Sequence, residues 1–196
     1  MVLNNSKPNV LVLMMISFFL ISCDSSQQSN DIESILANTR SYGTVPAFTG
    51  MTDQQVEMSR KDLQGRLWLV SFFFASCGDI CPRLNAVKSK IITHHPSDSL
   101  RFLSVTVDPE NDTPEFLQKH RQEMKFSDKR WSFIRMNNDS ILKNFMDGLL
   151  IGYAENPENH TARIILIDSK SRIRGYFDAL DPQQVDSLES ILRKLK

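Results

Sequence analysis

Apolar positions along this chain follow two rhythms. Leu67-Trp68-Leu69-Val70-Ser71-Phe72-Phe73-Phe74 is an almost unbroken β-forming run, too short for an ordinary helix, and it predicts a strand buried on both faces. From Pro82 to His94 the period changes: Leu84, Val87 and Ile91 recur at helical spacing. Leu100 to Val107 predicts the next strand. Asp112-Thr113-Pro114-Glu115 predicts a helix start, with capping side chains, proline in the first turn and an acid beside it. Trp131 to Met136 predicts a third strand, and Ile141, Leu142, Phe145 and Leu149 a further helix. Arg163–Ile167 and Ile173–Phe177 flank the polar turn 168–172 and predict a hairpin. Asp181-Pro182 opens a last helix, with Val185, Leu188, Leu192 and Leu195 on one face. The order β-α-β-α-β-α-β-β-α implies an α/β fold: a mainly parallel sheet with helices on both sides, ending in an antiparallel hairpin. Upstream, Val45 to Met58 predicts a small extra hairpin, and Ser59 a capped turn before Leu63.

The first residues follow neither rhythm. After Lys7 comes an apolar run of twelve residues, Val10 to Ile21. A bilayer-crossing helix needs about 20, so the run reads as the core of a secretory signal. It ends in Leu20-Ile21-Ser22-Cys23, which resembles a bacterial lipobox, in which the cysteine becomes the acylated first residue of the mature protein. Asp24 to Asn30 is polar throughout and reads as a flexible tether. The expected organisation is a signal peptide over 1–22, a lipidated Cys23 and tether over 23–43, and a folded domain over 44–196. The protein is expected outside the cytoplasm, held to a membrane by lipid. Asp24 fits the rule that retains some lipoproteins of Gram-negative bacteria at the inner membrane.

Composition narrows the function. The 196 residues carry 23 Lys+Arg and 23 Asp+Glu, and this balance argues against nucleic acid as a partner. A hydrophobic content of 41% excludes wholesale disorder. Three cysteines are too few for a disulfide-built scaffold. With Cys23 assigned to lipid, Cys77 and Cys81 remain as a pair.

That pair lies in Cys77-Gly78-Asp79-Ile80-Cys81-Pro82, between the first long strand and its helix, the edge where active sites of α/β sheets gather. A Cys81 in the first helical turn is expected to be favoured as a thiolate by the unpaired amides and the helix dipole. If both residues are helical, their Cβ atoms stand about 5–6 Å apart. Two thiolates so placed can chelate one soft metal ion or close a disulfide, and the spacing leaves both open. His160 precedes the strand Ala162–Asp168, in a loop expected to face the same edge. Two thiolates and an imidazole make a three-ligand set suited to copper, whereas structural zinc takes four ligands. His94 and His95 lie roughly 18 Å down the helix from Cys81 and cannot complete a zinc set.

In these features the chain resembles the Sco/SenC family, thioredoxin-fold copper proteins that help assemble cytochrome c oxidase. The resemblance rests on a strand followed by Cys77-x-x-x-Cys81-Pro82, on Val105-Thr106-Val107-Asp108-Pro109-Glu110-Asn111-Asp112-Thr113-Pro114, on the histidine before a late strand, and on the anchor. It covers about Val45 to Phe177. It implies a thioredoxin-like sheet, with Cys77, Cys81 and His160 as ligands of Cu(I) or Cu(II). It implies delivery to the dinuclear copper centre in the copper-binding subunit of the oxidase. A thiol reductant or another copper chaperone would be a further partner. In thioredoxins the loop facing the cysteines carries a cis-proline; His160 takes that place here, with no proline adjacent. Two positions depart from many relatives: Gly78 stands in place of a proline, and Asn159 in place of an aspartate. The neutral Asn159 makes the site less anionic and is expected to shift preference toward Cu(I). The alternative function is thiol-disulfide reduction, with the Cys77/Cys81 pair acting on the oxidase's copper-site cysteines or other exported thiols. The strand of Asp108 and Asp112 should neighbour the central one, which would bring them near the site, but both are expected chiefly to serve local turns and capping. Asp79, inside the cysteine loop, is open to contact with copper or a partner but is expected to be exposed, Phe72, Phe73 and Phe74 are expected to be core, and no methionine is expected to bind copper.

Overall fold

The longest apolar runs lie side by side at the centre of one sheet. The computed structural model describes residues 40–78, 80–152 and 161–194. Its strands are β1 (Thr49–Thr52), β2 (Glu57–Ser59), β3 (Leu67–Phe73), β4 (Leu100–Thr106), β5 (Trp131–Met136), β6 (Arg163–Ile167) and β7 (Ile173–Asp178). Its helices are α1 (Ile80–His94), α2 (Pro114–Glu123), α3 (Asp139–Gly148) and α4 (Pro182–Lys194). The spatial order of the sheet is β2-β1-β5-β4-β3-β6-β7.

Every residue of β3 is buried because both faces of the sheet are covered. Alternation along the strand sends Leu69 and Phe73 to one face, where they pack with Leu84 and Ile91 of α1, Leu117 of α2 and Leu188 of α4. Trp68, Val70 and Phe72 point to the other, onto Leu142 and Phe145 of α3 and onto Val45 and Phe48 before the sheet. The expected phenylalanine core is present at Phe72 and Phe73, while Phe74 packs partly buried at its margin.

The local signals act as expected. Thr113 Oγ1 accepts from the Phe116 amide at 3.2 Å, with Pro114 opening α2. The Ser59 amide and hydroxyl each donate to Asp62 at 2.8 Å, fixing the single 3-10 turn Arg60–Leu63. Val45 to Met58 contributes the β1–β2 hairpin.

The expectation of a mainly parallel sheet does not hold. Only β3–β4 and β4–β5 pair in parallel; β1–β2, β1–β5, β3–β6 and β6–β7 are antiparallel. Parallel pairing requires a crossover, and α1 and α2 supply the two that exist. After α3 the chain re-enters the sheet at the end where β3 finishes, so β6 runs against β3 and brings its own start to that end.

Candidate functional site around the cysteine loop

Where β3 ends, the chain turns on itself: the Cys77 amide donates to the Phe74 carbonyl at 3.1 Å. Cys77 sits in this loop and is half-buried; α1 begins at Ile80, so Cys81 lies in its first turn, buried beside Phe73 and Leu84. Both residues are thiols, with no disulfide between them. The Cys81 backbone N–H donates to Cys77 Sγ at 3.4 Å.

This arrangement reverses one expectation. The helix-terminal amide points at the Cys77 sulfur, not at Cys81. Burial, reinforced by the neighbouring Cys77 sulfur, pushes the Cys81 thiol up to about 12. A helix terminus contributes about 0.3–1 kcal/mol to a nearby charge. The cost of burying a thiolate at Cys81 outweighs it here. The two sulfurs are therefore unequal: Cys77 is reachable, whereas Cys81 is a buried, protonated thiol until something charged displaces its proton.

Asp112 holds the loop. Its Oδ2 accepts from the Ala75 amide at 3.0 Å and from Thr106 Oγ1 at 2.5 Å, and its residue is 1% exposed. Burial raises this carboxyl above the usual range. Of the two placements the sequence leaves for Asp112, the one near the site holds and the local capping role does not. Thr113 caps α2, while Asp112 reaches across from the β4–α2 connection to the backbone two residues before Cys77. Asp108 keeps the expected local role, accepting from Asn111 Nδ2 at 2.9 Å.

The third predicted ligand, His160, lies outside the described residues, as do Asn159, Asp79 and Cys23. The backbone leading from it is defined. The β3–β6 register pairs Val70 with Ile165, and continuing it sets Arg163 level with Phe72, so Thr161 to Arg163 approach the edge from which the cysteine loop departs. Among the described residues no group of three His, Cys, Asp or Glu side chains could hold a metal ion. His94 and His95 are engaged elsewhere, meeting Glu189 of α4 at 3.1 and 2.9 Å.

Several residues near the pair carried no signal in the sequence reading. A groove of about 480 Å³ runs beside Cys77 between α1 and α2, lined by Asn85, His120 and Met124 among others. His120 stacks on Phe73 with ring centroids 5.7 Å apart, and its buried Nε2 has no hydrogen-bond partner among the described residues. Burial, and then the charge of Lys88, hold its imidazole below the usual range. Asn85 Nδ2 donates to Met124 Sδ at 3.4 Å. Beneath the pair, Lys88 is wholly buried. Its place in the stripe Leu84, Lys88, Ile91 was the available clue, since a charged residue there must go inside.

Two adjacent sulfurs, one facing a groove and one facing the core, are a donor set for a soft ion and equally a dithiol able to close on itself.

Comparison with known proteins places this geometry. The family model SCO1/SenC matches residues 37–196. The SCO1 protein homolog of Bacillus subtilis (strain 168) is 24% identical over 183 residues, covering 90% of each chain. The structure of BsSco, described as having a disulfide switch and as a member of the Sco family of cytochrome c oxidase assembly proteins, superposes with TM-score 0.71 at 22% identity, over 81% of this chain and 97% of that one. Arabidopsis thaliana ScoI with copper bound superposes with TM-score 0.66 at 16% identity, over 78% of this chain and 99% of that one. The sheet, its helices and its N-terminal hairpin are thus the thioredoxin-like fold of Sco structures, and the chain belongs to the SCO1/SenC family.

Proposed function

We propose that this protein binds copper through Cys77, Cys81 and His160 and delivers it to the dinuclear copper centre of cytochrome c oxidase during assembly. The observation that carries the reading is the convergence of the cysteine loop and the start of β6 on one edge of the sheet. Copper-bound ScoI from Arabidopsis thaliana and from Bradyrhizobium japonicum share the fold, which supports copper as the cargo. The pair suits a soft ion: binding displaces the thiol protons, and a bound ion offsets the burial that keeps Cys81 protonated. Asp112 holds the loop so that Cys77 Sγ stays against the Cys81 amide. Release proceeds by ligand exchange, with partner thiolates replacing the chain's donors one at a time, the reachable Cys77 among the first to be exchanged.

Export and a lipid anchor at Cys23 complete the reading, with 1–22 as signal, 23–43 as lipidated tether and 44–196 as the working domain. Among the described residues no helix is long and apolar enough to cross a membrane. An anchor would confine the search for the oxidase to a membrane surface, at the periplasmic face of the inner membrane.

A second reading is supported by the adjacency of the two thiols and by the disulfide switch of BsSco. Cys77 as thiolate attacks a partner disulfide and forms a mixed disulfide, releasing one partner thiolate. Cys81, giving up its proton, then attacks Cys77 Sγ. The Cys77–Cys81 disulfide forms, the second partner thiolate leaves, and two electrons have passed to the partner.

The discriminating experiment is His160→Ala in the mature chain with Cys23 replaced by Ser. Copper carriage predicts mole-for-mole copper in the parent, weakened binding and lost oxidase maturation in the variant, and intact dithiol oxidation in both. Full maturation with Ala at 160 overturns copper carriage in favour of the reductase.

A further inference from the structure

Lys88 is the one cation of the α1 stripe that faces the core, and it is wholly buried. Its Nζ donates to Ser71 Oγ at 3.1 Å and to Ser104 Oγ at 2.8 Å, and stands 4.7 Å from the centre of the Trp131 ring. Trp131 Nε1 donates to the same Ser104 oxygen at 2.9 Å, so that hydroxyl oxygen is held in place from two sides. Two strand serines and an aromatic face form a neutral cradle, and among the described residues Lys88 meets no carboxylate. Burying an ammonium without a counter-anion is expensive.

The position of the cradle says what could repay that cost. Lys88 follows Cys81 by seven residues, two helical turns, which puts both on one face of α1 about 10 Å apart along the axis. Long helical side chains lean toward the helix N-terminus, which carries the ammonium back toward the cysteines. Consistent with this, negative charge on the Cys81 sulfur favours the Lys88 charge, while burial pulls the amine down to about 7. The same positive charge disfavours a second one on His120.

We propose that Lys88 is the internal counter-cation of the Cys77/Cys81 site and selects the cuprous over the cupric ion there. The inference rests on the copper reading above. Two thiolates with Cu(I) carry a net single negative charge, whereas two thiolates with Cu(II) are neutral. A fixed positive charge below them stabilises the first and leaves the second unaffected to first order. One electron added to the copper is thus balanced by a charge already inside the protein. At about 10 Å and an effective dielectric near 20, the preference is on the order of tenfold. Lys88 is not a copper ligand; it is a positioning residue that acts through charge.

The test uses the full chain, loaded with Cu(I) or Cu(II) at pH 6, where Lys88 is protonated. Lys88→Met and Lys88→Gln remove the charge with different shapes, and Gln keeps a donor for Ser71 and Ser104. Both are expected to weaken Cu(I) binding about tenfold relative to Cu(II). This lowers the one-electron potential of bound copper by about 59 mV, read by titrating the thiolate-to-copper charge-transfer absorption against redox mediators. Lys88→Arg is expected to keep the parental potential. Unshifted potentials in both neutral variants overturn the inference while leaving copper carriage intact. A parent chain that takes up no copper overturns copper carriage itself, and the counter-cation with it. A purely structural Lys88 would alter stability in all three variants without ordering their potentials by charge.

Discussion

Replacing Lys88 with methionine is expected to flatten the rise of stability with pH above neutrality. In the folded chain burial pulls the Lys88 amine down to about 7, from an ordinary value of 10.5. A base with a depressed folded pKa binds fewer protons folded than unfolded between those two values. Unfolding then takes up a proton, and stability increases as pH rises through that window. Below pH 7 both states are protonated and the full cost of the buried charge is present. Cys81 acts in the opposite sense but later: its folded value of about 12 exceeds the ordinary 9.0, so its contribution is lost only above pH 9. The range from pH 7 to 9 therefore reports mainly on Lys88, and since the amine is already half titrated at pH 7 the change across it is about 2 kcal/mol. Urea denaturation of the parent and of Lys88→Met at pH 6, 7, 8 and 9, under reducing conditions, measures this directly. The stability difference between the chains, in favour of methionine at pH 6, should shrink by about 2 kcal/mol between pH 7 and 9. Parallel curves across that range would show that the amine keeps an ordinary proton affinity, and the argument from burial would fail.

Two further outcomes follow from the cysteine loop. Asp112→Ala leaves the Ala75 amide and the Thr106 hydroxyl without their acceptor and should cost about 2–3 kcal/mol in denaturant unfolding. It should also speed alkylation of Cys77, whereas unchanged stability and unchanged alkylation would remove Asp112 from the loop's support. At pH 8 a buried thiol titrating at about 12 is thiolate in roughly one molecule in ten thousand, so mass spectrometry should find the more accessible Cys77 alkylated well before Cys81; equal rates would contradict the burial of Cys81.

Much of this architecture was readable from residue order, and the exceptions have specific causes. Trp131–Met136 and the Leu67 run announced themselves because buried strands need uninterrupted β-forming side chains, and the structure places both at the sheet's centre. The direction of β6 was not readable. Periodicity reports that a strand exists, but its partner and orientation depend on which end of the sheet the chain re-enters, a property of the whole path. Asp112 misled because turn formation, capping and support of a distant amide all call for the same side chain; only burial separates them. The Cys81 thiolate was misjudged because helix position is visible in sequence and desolvation is not. Lys88 was legible in principle, as a charge on an apolar stripe, yet exposed lysines at such positions are common enough to hide it. His120 and Met124 lie one turn apart on a helix that reads as polar, so nothing in the spacing alone marked the groove they line.

The way the chain joins the sheet has a mechanical consequence. Tyr42 and Val45 donate to the Ile173 and Ser171 carbonyls, and Thr44 bridges Arg172, which fastens this segment to the β6–β7 turn. That turn is level with the beginning of β3, and seven strand residues, about 23 Å, separate it from the loop bearing the thiols. The described chain therefore starts at the base of the sheet, at the end opposite the thiols. Any pull or attachment applied at Arg40 thus acts on the base of the sheet, more than two nanometres from the sulfurs, and leaves their face of the domain open to approach.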